Sequence, residues 1–131
     1  MLRILVADDH EIVRRGLKQI LREGFPIVQI EEASDTEILL KKAIQEDWDL
    51  IITDITMPGG SGLDALGKIK LQKRTLPILV VSTYPEEQYS HHVIMAGASG
   101  YISKNTVPDK LVQAIKMVLA GEKYFGCELV T

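Results

Sequence analysis

Three short runs of this chain are apolar nearly throughout: RILVA at residues 3–7, LIIT at 50–53 and ILVV at 78–81. A strand with one wet face alternates apolar and polar residues, because successive side chains point to opposite sides of the sheet. Strands that do not alternate must be covered on both faces, and helices between parallel strands supply that cover.

The intervening segments have the required periodicity. EIVRRGLKQILRE (11–23) sets Val13, Leu17, Ile20 and Leu21 at helical spacing, and Gly24 and Pro26 end it. IVQIEEA (27–33) reads as a second strand. TEILLKKAIQE (36–46) reads as a second helix, with Leu39, Leu40, Ala43 and Ile44 on one side. After LIIT, the turn-rich TMPGGSG (56–62) leads into a helix over 63–73. Pro77 opens ILVVS (78–82), a fourth helix runs from Pro85 to Gly97, and GYIS (100–103) is the fifth strand. VPDKLVQAIKMVLAGE (107–122) closes the chain as a helix with Leu111, Ile115 and Val118 inward. Five strands alternating with five helices, joined by right-handed crossovers, give an α/β fold with a doubly wound parallel sheet. Such sheets place ligands at the carboxyl ends of their strands, where strand order reverses.

The strand ends are therefore the place to look for chemistry. Strand one ends at Asp8 and Asp9, strand three at Asp54, strand four at Ser82 and Thr83, and strand five at Lys104. The second strand ends in Glu31, Glu32 and Ala33, with no evident functional group. Singly each residue has an ordinary explanation. Asp8 with Glu11 three positions on fits a capping box, Ser82 could bond its own backbone, and Lys104 could be a surface charge. Jointly they bring three carboxylates, a hydroxyl and an ammonium to one rim. Two unit charges about 4 Å apart repel by about 4 kcal/mol at an effective dielectric near 20. A bound cation relieves that repulsion, and an all-oxygen donor set favours Mg²⁺ over softer metals. Asp8 and Asp9 suit a metal pair. Asp54, alone on a central strand, is the best candidate nucleophile for an aspartyl phosphate.

Composition excludes several other classes. The 131 residues suit one domain. No run approaches the apolar length of a membrane span, and no N-terminal signal peptide is evident. Cys127 is the only cysteine, so a disulfide framework or thiolate zinc site is excluded and a reducing cytoplasm is expected. A net charge of −3 argues against a phosphate-gripping nucleic-acid surface. On that reading Arg14, Arg15 and Lys18, like Lys68, Lys70, Lys73 and Arg74, form solvated helix faces. His91 and His92 point to different faces of a helix and are expected at the surface, and His10 is expected to begin a helix. The glycines at 59, 60 and 62 lack the Lys-Ser/Thr ending of a P-loop, and ADDHEIVRRG contains no GxGxxG.

Four stretches together carry a specific likeness: ILVADDH (4–10), LIITDITMPGGSG (50–62), PILVVS (77–82) and AGASGYISK (96–104). With them the chain resembles, over residues 1–122, the receiver domain of bacterial two-component response regulators. The resemblance implies a flavodoxin-like (β/α)5 sheet of strand order 2-1-3-4-5. It implies that Asp54 accepts a phosphoryl group from the phosphohistidine of a sensor histidine kinase. Asp9 and Asp54 then ligate Mg²⁺ (Mn²⁺ being an alternative) with the backbone carbonyl of Thr56, and Asp8 contributes through water. Ser82 bonds the phosphoryl oxygen, Lys104 pairs with it, and Tyr101 is the aromatic residue that swings between outward and inward states. The implied domain is no enzyme beyond its own phosphoryl transfer and slow autodephosphorylation. A homodimer through the fourth helix, fifth strand and fifth helix, or through the first and fifth helices, is a further implication.

Lys104 is followed by Asn105, where many receivers carry proline. With HEIVRRGL (10–17) and VLAGEKYFG (118–126), this resembles the subfamily whose receiver precedes a LuxR-type helix-turn-helix domain. Residues 123–131 then begin a linker or tail, and DNA is contacted only through an output domain outside this sequence. A stand-alone receiver is one alternative. An aspartate-nucleophile phosphatase of the haloacid dehalogenase type is another, although it needs D-x-D after the first strand and this chain has adjacent aspartates. A pseudo-receiver that does not use phosphate ranks third.

Overall fold

The computed structural model describes residues 1–82 and 92–125, without the side chain of Ser61. Strands β1 (Leu2–Ala7), β2 (Val28–Ala33), β3 (Leu50–Thr53), β4 (Ile78–Ser82), β5 (Gly100–Ser103) and β6 (Tyr124–Phe125) form one sheet. Their order is β2-β1-β3-β4-β5-β6, and every pairing is parallel. The expected order of the first five strands is observed. Helices α1 (Glu11–Gly24), α2 (Thr36–Gln45), α3 (Gly62–Gln72) and the closing helix (Val107–Leu119) pack on its two faces.

The uninterrupted apolar strands divide their side chains between two cores. Ile4, Val6, Leu50, Ile52, Leu79, Val81 and Ile102 meet Leu17 and Leu21 of α1 and Leu111, Ile115 and Val118 of the closing helix. Leu5, Ala7, Ile51, Ile78, Val80 and Tyr101 face the other way, onto Leu39 and Ala43 of α2 and Leu66 and Ile69 of α3. Alternate residues of one strand thus serve opposite cores, which is why these runs show no alternation of apolar and polar residues.

Three local features differ from the sequence reading. The segment 56–62 is not a plain loop, because Thr56–Met57 pairs antiparallel with Gly60–Ser61 and α3 begins at Gly62. Gly59 and Gly60, at φ +93° and +129°, make that tight reversal. The closing helix ends at Leu119 instead of residue 122, and Gly121 turns the chain at φ +89°. Tyr124 and Phe125, expected in a tail, then return as a sixth strand beside Gly100 and Tyr101. Gly100 allows that approach: a Cβ there would lie 2.4 Å from the Tyr124 carbonyl oxygen. Thr83, His91, Cys127 and the first part of the fourth expected helix lie outside the described residues.

Candidate functional site

The backbone ladder runs one residue past β1 and β3 and so sets two acids side by side. Asp8 N–H donates to Ala33 O and Asp54 N–H donates to Ala7 O, each at 3.0 Å. The sheet thereby holds both carboxylates at the rim while shielding them from solvent, at 2% exposure for Asp8 and 5% for Asp54. Lys104, which opens a 3₁₀ turn (Lys104–Thr106) after β5, brings the compensating charge. Its Nζ is 2.9 Å from Asp8 Oδ2 and 2.9 Å from Asp54 Oδ2. Burial by itself pushes the Lys104 ammonium down, but its hydrogen bonds to Asp54 and Asp8 outweigh this and raise it above the usual lysine range.

The remaining oxygens are also engaged. Asp54 Oδ1 accepts the Thr56 N–H at 3.1 Å. Asp8 Oδ1 accepts the His10 N–H at 2.8 Å. The His10 ring Nδ1 lies 3.2 Å from Asp8 Oδ1 and 3.1 Å from Asp9 Oδ1. His10 is the N-cap of α1, with no side-chain cap bond, so the capping-box reading of Asp8 and Glu11 is corrected. The Asp8 carboxylate bonds the chain before the helix, and its second oxygen goes to Lys104.

Asp8, Asp9 and His10 each place one potential ligand atom within 4.8 Å of the others. Asp54 stands outside that triplet and joins it through Lys104. Asp9 has an outward-facing side chain, whereas Ser82 at the end of β4 is fully buried, in register with Ser103 of β5. Tyr101 is fully buried too, on the α2 and α3 side of the sheet. His92 is exposed, as expected. Asp8 and Asp54 share the Lys104 ammonium, Asp9 lies beside them, and the hard oxygen donors of the three fit a small divalent cation.

The sequence reading of Arg14, Lys18 and Glu32 is corrected by the structure. Arg14 and Lys18 are not a solvated face: Arg14 Nε and Lys18 Nζ grip the two oxygens of Glu32 at 2.8 and 2.9 Å. Arg14 Nη1 also donates to the Asp8 carbonyl at 2.7 Å. Hydrogen bonding from Lys18 outweighs partial burial and, with Arg14, holds the Glu32 carboxyl below its usual range. The signal was present in the spacing, since residues 14, 17, 18 and 21 share one side of α1 with its buried leucines.

Residues 4–116 match the family model of the response regulator receiver domain. The response regulator UvrY of Escherichia coli K12 is 34% identical over 129 residues, covering 98% of this chain and 59% of that protein. The oxygen regulatory protein NreC of Staphylococcus carnosus is 35% identical over 131 residues, covering 99% of this chain and 60% of that protein. This chain therefore spans less than two thirds of the length of either relative. Among solved structures, a LuxR-family two-component response regulator from Aurantimonas superposes with a TM-score of 0.86 at 32% identity. That match covers 93% of this chain and 87% of the other.

Proposed function

The chain belongs to the response regulator receiver domain family, and from that premise we propose that Asp54 is its phosphoacceptor. One observation carries the assignment: a desolvated carboxylate on a central strand, with the Lys104 ammonium 2.9 Å away. A carboxylate oxygen of Asp54 attacks the phosphorus of a kinase phosphohistidine. The new O–P bond forms as the P–N bond breaks, and the electron pair leaves on the imidazole nitrogen. No general base is needed, because a carboxylate nucleophile has no proton to lose on attack.

Asp8, Asp9, Asp54 and the backbone carbonyl of Thr56 would hold Mg²⁺, or Mn²⁺ in its place, which neutralises charge on the phosphoryl oxygens during transfer. Lys104 then exchanges its bond to Asp54 for one to a phosphoryl oxygen, and the Ser82 hydroxyl donates to another. Carrying the domain from 1:99 to 99:1 active requires about 5.5 kcal/mol of preference for the active state. Three charge-assisted hydrogen bonds of about 2 kcal/mol each, the Lys104 pair among them, reach that figure. Tyr101 is the side chain that reports the change, through the neighbouring helix and strand, to a dimer or output surface.

Receiver domains work with sensor kinases, so the donor is a histidine kinase and this domain turns over only its own phosphoryl group. Membership of the receiver family supports a cytoplasmic setting, and among the described residues no helix is long and apolar enough to cross a membrane. DNA enters only through an output domain beyond this sequence. Incubation with acetyl phosphate and Mg²⁺ tests the assignment: the parent should acquire one acid-stable, base-labile phosphoryl group and Asp54→Asn none. Equal uptake by both would sink it.

A further inference from the structure

The ends of β1, β3, β4 and β5 contribute functional groups directly, whereas β2 contributes through a relay. Glu32, near its end, is gripped by Arg14 and Lys18, and Arg14 reaches on to the Asp8 carbonyl. That carbonyl belongs to the peptide joining Asp8 to Asp9, so its orientation governs where the Asp9 carboxylate can go.

We propose that Arg14, held by Glu32, is a positioning residue that fixes the peptide between Asp8 and Asp9 in its cation-binding orientation. The reasoning is geometric. Arginine alone offers a rigid planar fork whose Nε and Nη1 satisfy a carboxylate on β2 and a carbonyl on β1 together. Only 15% of the Arg14 side chain is exposed, so its fork is held in place between the two strands. Asp9, by contrast, projects outward from a strand end with no ladder bond of its own, so its aim depends on the peptide before it. Groups that orient metal ligands in this way typically change affinity ten- to a hundredfold.

This proposal rests on the Mg²⁺ reading above, and its sign separates it from plain electrostatics. Arg14 is a cation near a cation site, so Coulomb repulsion alone predicts tighter Mg²⁺ binding once it is removed. Positioning predicts the reverse. Mg²⁺ titration of the intact chain by calorimetry should show Arg14→Ala weakened about tenfold, with Arg14→Lys partly rescued because its ammonium can still reach the carbonyl. Glu32→Gln should fall between the parent and Arg14→Ala. Unchanged or tighter binding by Arg14→Ala overturns the proposal.

A second measurement needs no metal. Hydrogen exchange at the His10 amide, which donates to Asp8 Oδ1, should accelerate in Arg14→Ala while the amides of β2 keep their rates. Uniform acceleration would mean a general loss of stability and would reject positioning. If the parent binds no Mg²⁺, the metal reading fails, and the exchange data alone decide the role of Arg14.

Discussion

Lys104 and Asp54, fifty positions apart in the chain, are joined by a hydrogen bond of 2.9 Å at the rim of the sheet. The same ammonium reaches Asp8, so one cation keeps two buried carboxylates from facing each other bare. In metal-free protein that contact is the principal relief of their repulsion. A divalent cation held at this rim would therefore compete with Lys104 for the same charge.

Removing the ammonium should expose this competition. Lys104→Ala is expected to cost about 3 kcal/mol of stability in the absence of metal, since it leaves buried acids uncompensated. Mg²⁺ should bind the variant more tightly than the parent. Urea titrations with and without Mg²⁺ read both effects, and a variant as stable as the parent in EDTA would contradict the pairing.

A ligand that binds only the folded state stabilises it by mass action. At ten times its dissociation constant, Mg²⁺ should add about 1.4 kcal/mol to the parent. The gain should be smaller in Asp54→Ala, where one carboxylate of the set is gone. Identical melts with and without millimolar Mg²⁺ would remove the cation from the account of these acids.

Gly62 supports the site from behind. A Cβ there would lie 2.5 Å from the backbone of Ile55, between Asp54 and Thr56, where no flexible side chain can yield. Gly62→Ala should therefore shift the segment that carries Thr56, cost about 2 kcal/mol and slow phosphorylation by acetyl phosphate. A variant with parental stability and rate would show that the segment is looser than the geometry says.

The relay on β2 has its own pH signature. The Glu32 carboxyl is held below its ordinary value of 4.5 in the folded chain, chiefly by Lys18 against partial burial and also by Arg14. Its contribution to stability is therefore complete above that value and is lost as the pH falls through the lowered folded value. Stability profiles of the parent and Glu32→Gln should converge in acid and diverge towards neutrality. Parallel profiles throughout would show that Glu32 is not paired in solution.

The two-core architecture was legible in the sequence because its cause is local. Residues such as Ile51 and Ile52 must both be apolar when each faces a different helix layer, and that leaves a run without alternation. The acids and Lys104 were legible for a related reason, since strand ends in a parallel sheet converge regardless of chain separation. Arg14 and Lys18 were misjudged because charge alone does not reveal that a long side chain lies along a buried helix stripe with its head on Glu32. Tyr124 and Phe125 were missed because two residues are too few for any periodicity. Their pairing depends on the bare backbone of Gly100, a contact of the folded state alone.

That last pairing has a consequence for how the domain hands on its signal. β6 runs parallel to β5, so Tyr124 and Phe125 point towards the rim that carries Asp54 and Lys104. These two residues are thus laced to the Tyr101 backbone, and a rearrangement of β5 would tug on them directly.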